Sequence, residues 1–178
     1  MKIIDELIAR EGEYSDHPSD KGGQTRWGIT EAVARANGYA GSMRDLPRAF
    51  AEAVYVRRYI EEPGFDKVLP VSPLIAEELI DSGVNMGPGL PGPWLQRTLN
   101  LLNQQAKTFP DLVVDGHIGP ATISALRSVL ASRGRDGEVV ILRCLNCLQG
   151  GRYFEITEKR EANEDFFFGW LRTRVAMA

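Results

Sequence analysis

The chain has 178 residues, 43% of them hydrophobic and 25% charged, with a formal net charge of -3. This is an ordinary globular composition: it excludes a wholly disordered or fibrous protein and fits one domain, or a domain with a small appendage. The mildly acidic balance also excludes nucleic-acid binding through a broad basic field, and two cysteines do not make a disulfide scaffold.

In chain order, Ile3, Ile4, Leu7 and Ile8 recur at helical spacing and Glu11 continues their stripe, so the first element is a helix that Gly12 stops. Asp5 and Glu6 interrupt the apolar start, which leaves no signal-peptide core. Nor does any run approach the roughly 20 apolar residues of a spanning helix. The chain is therefore expected to stay in the cytoplasm until another protein releases it. Residues 12–30, rich in glycine, predict an irregular loop or a small hairpin around Gly22-Gly23. Thr30 caps a helix over 31–37 that Asn37-Gly38 ends. Asp45-Leu46-Pro47 opens another, with Leu46, Phe50, Ala53, Val54 and Arg57 on one side, ended by Pro63-Gly64. Ser72-Pro73 opens a helix to Met86 whose apolar face is Leu74, Ile75, Leu79 and Ile80.

Gly87 to Pro93 is a stiff break, either a linker between lobes or a tight turn between packed helices. Further helices are expected over 94–106, from Gly119-Pro120 to Ser132, and from Val139 to Phe154 with Val140, Cys144 and Cys147/Leu148 apolar. A terminal cluster of Phe166, Phe167, Phe168, Trp170 and Leu171 is expected to dock on the core. No run alternates as a confident strand does, so the chain reads as mainly α.

Chemistry concentrates in residues 10–30, where Glu11, Glu13, Asp16 and Asp20 fall within ten positions. Two carboxylates across a cleft are what glycoside hydrolysis needs. Glu11, at the edge of an apolar face, suits the acid, because partial desolvation favours its protonated form. The following loop can return Asp20 and Thr25 towards it, and Tyr14 and Trp27 offer flat faces for sugar rings. Acidic loops are also commonly just solvated.

The segments Glu11-Gly12-Glu13-Tyr14, Pro18-Ser19-Asp20 and Gly22-Gly23-Gln24-Thr25-Arg26-Trp27-Gly28-Ile29-Thr30 resemble the signature of glycoside hydrolase family 108 lysozymes. Asp81-Ser82-Gly83-Val84-Asn85-Met86-Gly87 is similar to a further block of that family. Leu95-Gln96 and Asp115-Gly116-His117-Ile118-Gly119-Pro120-Ala121-Thr122 resemble its peptidoglycan-binding-like part, and Phe168-Gly169-Trp170-Leu171 with Arg174 resembles its ending. Glu13 stands at the family's second glycine, and His17 where the family often has Asp.

The resemblance implies a lysozyme-like helical fold with a catalytic lobe over 1–90 and a helical, peptidoglycan-binding-like part over 91–178. It implies cleavage of the MurNAc–GlcNAc β-1,4 bond in an endolysin that lyses a bacterium from within. Glu11 is then the general acid, and Asp20 and Thr25 stabilise the cationic sugar or orient water. Tyr14, Trp27, Asp81 and Asn85 are the candidate substrate contacts. A Glu11–Asp20 carboxyl separation of roughly 6.5–9.5 Å, the inverting geometry, is expected. The implied partner is the glycan strand of a monomeric enzyme that needs no cofactor or metal, released through a holin-like pore to reach the wall. The competing readings are a non-catalytic wall-binding or virion structural protein and a lytic transglycosylase.

Three features keep a structural reading beside the functional one. Cys144-Leu145-Asn146-Cys147 is a redox or zinc pair, or packed free thiols. Asn85 lines the cleft with Asp81 or only caps a helix end. Trp94 and Trp170 stack on sugars or pack the core.

Overall fold

The computed structural model describes residues 2–11, 14–15 and 24–175, with the backbone alone at Lys2, Ile3, Glu6, Arg10 and Glu11. Its contacts divide the chain into two compact units, Met1–Glu62 and Pro63–Ala178.

In the first unit, α1 (Lys2–Glu11) buries Ile4 and Ile8 and packs on α3 (Arg48–Val56). Its apolar stripe supplies this burial, at about 1.5–3 kcal/mol for each large aliphatic side chain. Between them in the chain comes an antiparallel sheet of three two-residue strands: β1 (Tyr14–Ser15), β2 (Thr25–Arg26) and β3 (Ile29–Thr30), in that order. Tyr14 pairs with Arg26 and Ser15 with Thr25, while Thr25 pairs with Thr30 and Arg26 with Ile29.

The β2–β3 connection is the two residues Trp27 (φ 54°) and Gly28 (φ 75°). Positive φ at both positions is what a tight hairpin of primed type requires. Thr30 then caps α2 (Glu31–Ala36), its Oγ1 accepting from Val33 N–H at 3.3 Å. On α3 the buried side is Ala51, Val54 and Tyr55, whereas Ala53 and Arg57, expected there, are exposed. The helix widens into a π turn over Arg57–Glu61, where Glu62 N–H reaches Arg57 O five residues back at 2.9 Å.

The second unit is built on α4 (Pro73–Met86), α5 (Pro91–Leu102), α6 (Pro120–Glu158) and α7 (Glu164–Arg174). Ser72 caps α4 by accepting from Ile75 N–H at 3.1 Å and ties it to α6 by donating to Glu138 Oε1 at 2.6 Å. Ile75, Leu79 and Ile80 are buried as the spacing predicts, but Leu74 is 54% exposed. Of the break at 87–93, residues 87–90 form the short turn between α4 and α5, which pack on each other, and Pro91 to Pro93 already belong to α5.

Helix α5 ends at Leu102, not 106. Asn103 donates to Asp111 Oδ1 at 2.6 Å, and Gln104, Gln105 and Ala106 follow in the left-handed region (φ 58°, 62° and 60°). Helix α6 is two helical segments meeting at Gly134, whose φ of 56° and ψ of -138° only glycine adopts comfortably. Its second segment buries Ile141, Leu145, Asn146 and Gln149 rather than Val140, Cys144 and Cys147. The sequence reading missed this face because half of it is polar. The terminal aromatic cluster docks through part of its length. Trp170 stacks on Tyr153 (5.0 Å) and Phe167 meets Phe154 edge-on (4.9 Å), while Phe166 and Phe168 face outward. The chain is thus mainly α with one small sheet.

Candidate active site and its supporting residues

Glu11 is the last residue of α1, three positions beyond buried Ile8 and three before β1. Its side chain lies outside the described residues, as do Asp20, Glu13 and His17, and with them the expected carboxyl separation. The described part of the motif is the sheet. Thr25 sits half-buried on β2, opposite Ser15 on one side and Thr30 on the other. Tyr14 stands on β1 with the Arg44 guanidinium 4.8 Å from its ring centroid.

Trp27 is held on three sides. Its Nε1 donates to Leu46 O at 3.1 Å, its carbonyl accepts from Tyr55 Oη at 3.0 Å, and Arg26 lies 5.5 Å from its ring centroid. A tryptophan in the left-handed region is strained by roughly 1–3 kcal/mol. The two long-range hydrogen bonds hold it there. Leu46 and Tyr55 are themselves buried, so α3 and the segment before it fix the hairpin tip that carries the indole.

Asp81 and Asn85 lie on α4, in the second unit. Asp81 is half-buried; its Oδ1 accepts from Arg174 Nη1 at 2.7 Å and its Oδ2 from Gln149 Nε2 at 3.5 Å. Asn85 is exposed and donates back to Asp81 O at 2.6 Å. Two blocks of the resemblance that are 93 residues apart, around Asp81 and Arg174, thus close on each other.

Beside Asp81, sequence reasoning missed Glu78. Burial, then the neighbouring Asp81 charge, pushes its carboxyl up to about 7 against hydrogen bonds from Ser82 and Asn146. Its place in Glu77-Glu78 reads as surface, and no sequence signal marks it as buried.

The Asp115-Gly116 motif is structural at its centre. Buried Gln96 donates to Asp115 Oδ1 (2.8 Å) and His117 O (3.1 Å) and accepts from Gly116 N–H (2.8 Å). Asp115 also accepts from His117 N–H at 2.8 Å, and these hydrogen bonds, that from Gln96 first, hold its carboxyl below the usual range. Position 92 must lack a Cβ, which would collide with the Gly116 carbonyl. An apolar groove of about 550 Å³ runs beside this turn, past Phe109, Leu112, Val113 and Ala121. Trp94 is buried in the second unit. Cys144 is half-buried with its thiol raised by burial, and Cys147 is exposed. Among the described residues no three side chains converge as a metal site, and no helix is long and apolar enough to cross a membrane.

A mainly α fold with a small sheet placed directly after its first helix defines a lysozyme-like class. Residues 4–87 match the family model described as glycosyl hydrolase 108, and residues 91–175 match that described as a predicted peptidoglycan domain. The chain therefore carries a glycosyl hydrolase 108 domain followed by a predicted peptidoglycan domain, and it is a lysozyme-like glycoside hydrolase active on peptidoglycan. A solved structure of Brucella abortus SagA shares the fold. It is 24% identical with a TM-score of 0.60, over 98% of this chain and 87% of that one. No curated protein matches the sequence.

Proposed function

We propose that this protein hydrolyses the MurNAc–GlcNAc β-1,4 bond as an endolysin, with Glu11 as the general acid that protonates the leaving oxygen. Asp20 and Thr25 support the cationic sugar or hold the attacking water, so the reaction inverts. Tyr14 and Trp27 stack on sugar rings, and Asp81 and Asn85 complete the substrate contacts. The carrying observation is that the glycosyl hydrolase 108 match spans Glu11 through Thr25, with Glu11 ending an amphipathic helix immediately before the sheet that bears Thr25 and Trp27.

The catalytic lobe runs over 1–90, and the 91–178 part, within which the predicted peptidoglycan domain falls, engages the wall. The enzyme acts as a monomer, waits in the cytoplasm of a phage-infected bacterium and passes to the wall through a holin-like pore.

Purified peptidoglycan digested by the wild type and by Glu11→Gln tests the reading by mass spectrometry. Reducing MurNAc ends from the wild type, reduced about 10²–10⁴-fold in the variant, are expected for a general acid. Equal rates overturn the role of Glu11, and 1,6-anhydro ends replace hydrolysis with transglycosylation.

A further inference from the structure

Each of the two rings assigned above to sugar stacking already carries a guanidinium. Arg44 lies over the Tyr14 ring, 4.8 Å from its centroid, and Arg26 over the Trp27 ring at 5.5 Å. The two pairs are joined through the sheet, because Arg26 is the cross-strand partner of Tyr14. Residues directly opposite on neighbouring strands present their side chains to the same face, so both cations gather about Tyr14.

Neither cation has a counter-ion among the described residues. The acids of this unit's ion pairs, Asp5, Glu31, Glu52 and Glu62, are committed to Arg35, Arg48 and Arg57. Arg44 is exposed and Arg26 half-buried, with its Nε sealed and without a hydrogen-bond partner. Contact with a ligand is therefore left to the terminal nitrogens of Arg26. The backbone that carries Arg44 is firmly seated. Met43 and Leu46 are buried on either side of it in the chain, and Ser42 Oγ accepts from Arg44 N–H at 3.2 Å. Leu46 O also takes the Trp27 indole N–H at 3.1 Å, so this segment and the hairpin tip are tied together.

A guanidinium lying over a ring uses its face and keeps its edge. That edge is a planar fork of N–H donors that matches a carboxylate. We propose that Arg44, with Arg26 adding its charge, receives a free carboxylate of the wall's peptide stems while Tyr14 and Trp27 hold the glycan. The enzyme then distinguishes peptide-bearing strands from bare ones. The inference deepens the peptidoglycan hydrolase reading above and rests on it. A bare N-acetylglucosamine polymer offers neutral groups alone and leaves both cations unanswered.

The test compares stem-bearing peptidoglycan strands with the same strands after their free carboxylates are converted to methylamides. The wild type is expected to show a kcat/KM about ten-fold higher on the free carboxylates, the factor that 1.4 kcal/mol supplies. In Arg44→Gln the ratio is expected to fall to about three, and with Arg26→Gln added to about one, as the charge-assisted bonds are lost. The chain's net charge of -3 predicts the opposite preference, since amidation removes repulsion. Partial misfolding of a variant lowers both rates together and leaves the ratio where it was.

A wild-type ratio of one or less overturns the subsite, whether or not the variants fold. So does a ratio that stays at the wild-type level in Arg44→Gln. Strands stripped of their stems by an amidase keep the lactyl carboxylate. Digestion of these as fast as stem-bearing strands overturns the assignment to the stem. Cosedimentation of the protein with the two main preparations is measured alongside. Reducing ends released without preference sink only the subsite, and a binding preference without reducing ends sinks only the hydrolase reading.

Discussion

The two compact units bury different chemistry. Among the described residues, the buried set of Met1–Glu62 is apolar, from Ile4 and Ile8 to Tyr55 and Ile60. Every buried polar residue among the described ones, including Ser72, Gln96, Asn103, Asn146 and Gln149, lies in Pro63–Ala178. The first unit fixes its candidate site by placing polar groups at the edge of an apolar core. The second fixes its loops by driving amides into the core and making them bond backbone there. Removing a polar side chain should therefore alter activity in the first unit and folding in the second.

The largest effect tests the first half of that contrast. Glu11→Gln should lower the rate of wall digestion by about 10²–10⁴-fold with the melting temperature unchanged. A large drop in melting temperature would make Glu11 a structural residue and break the comparison.

Gln96→Leu tests the other half. It strands Asp115, His117 O and Gly116 N–H, and should cost about 3 kcal/mol in urea unfolding. A near-neutral result would show that the turn holds itself.

Glu78→Gln sharpens the comparison, because here a buried polar group opposes stability. A carboxyl pushed up to about 7 from 4.5 binds its proton more tightly folded than unfolded. Stability is then full below about 4.5, falls as pH rises to 7, and stays low above. The variant should lack this slope and exceed the wild type at pH 8 by about 3 kcal/mol, the equivalent of the shift. Parallel stability–pH curves would refute the burial of Glu78. Asp115 has the opposite sign: its carboxyl lies below 3.8, so its contribution is present above that pH and disappears below it.

The smallest effect is Trp27→Phe, which loses the bond to Leu46 O and should cost about 1 kcal/mol by thermal melting, with a larger change in KM than in kcat if the indole stacks on sugar.

What the sequence made legible follows local rules. The α1 stripe and the Thr30 and Ser72 caps are each set by neighbours in the chain, and each stands where periodicity and capping put it, while the break after Met86 is shorter than expected because Pro91 already opens α5. The rest depended on distant partners. Trp27 is a poor residue for a primed turn, and its hydrogen bonds with Leu46 and Tyr55, distant in the chain, hold it there. Leu102-Asn103-Gln104-Gln105-Ala106 reads as helix until Asn103 finds Asp111. The buried face of α6 escaped detection because Asn146 and Gln149 do not register as hydrophobic. In the candidate site, Thr25 and Trp27 share one hairpin, as a compact motif implies, whereas Glu78 needed helices α6 and α7 to become conspicuous.

The three left-handed residues after α5 also have a practical consequence for anyone who wants a hardier enzyme. Gln104, Gln105 and Ala106 each hold a backbone conformation that costs an L-residue roughly 1–2 kcal/mol and costs glycine far less. All three side chains are exposed, so nothing in a core has to be rebuilt around a change. A single glycine at Gln104 or Gln105 is expected to raise the melting temperature slightly, the relieved strain exceeding the entropy that glycine adds to the unfolded chain, and it leaves α1 and the sheet untouched. It makes a helix end that looks wasteful a place to gain heat tolerance without disturbing a core.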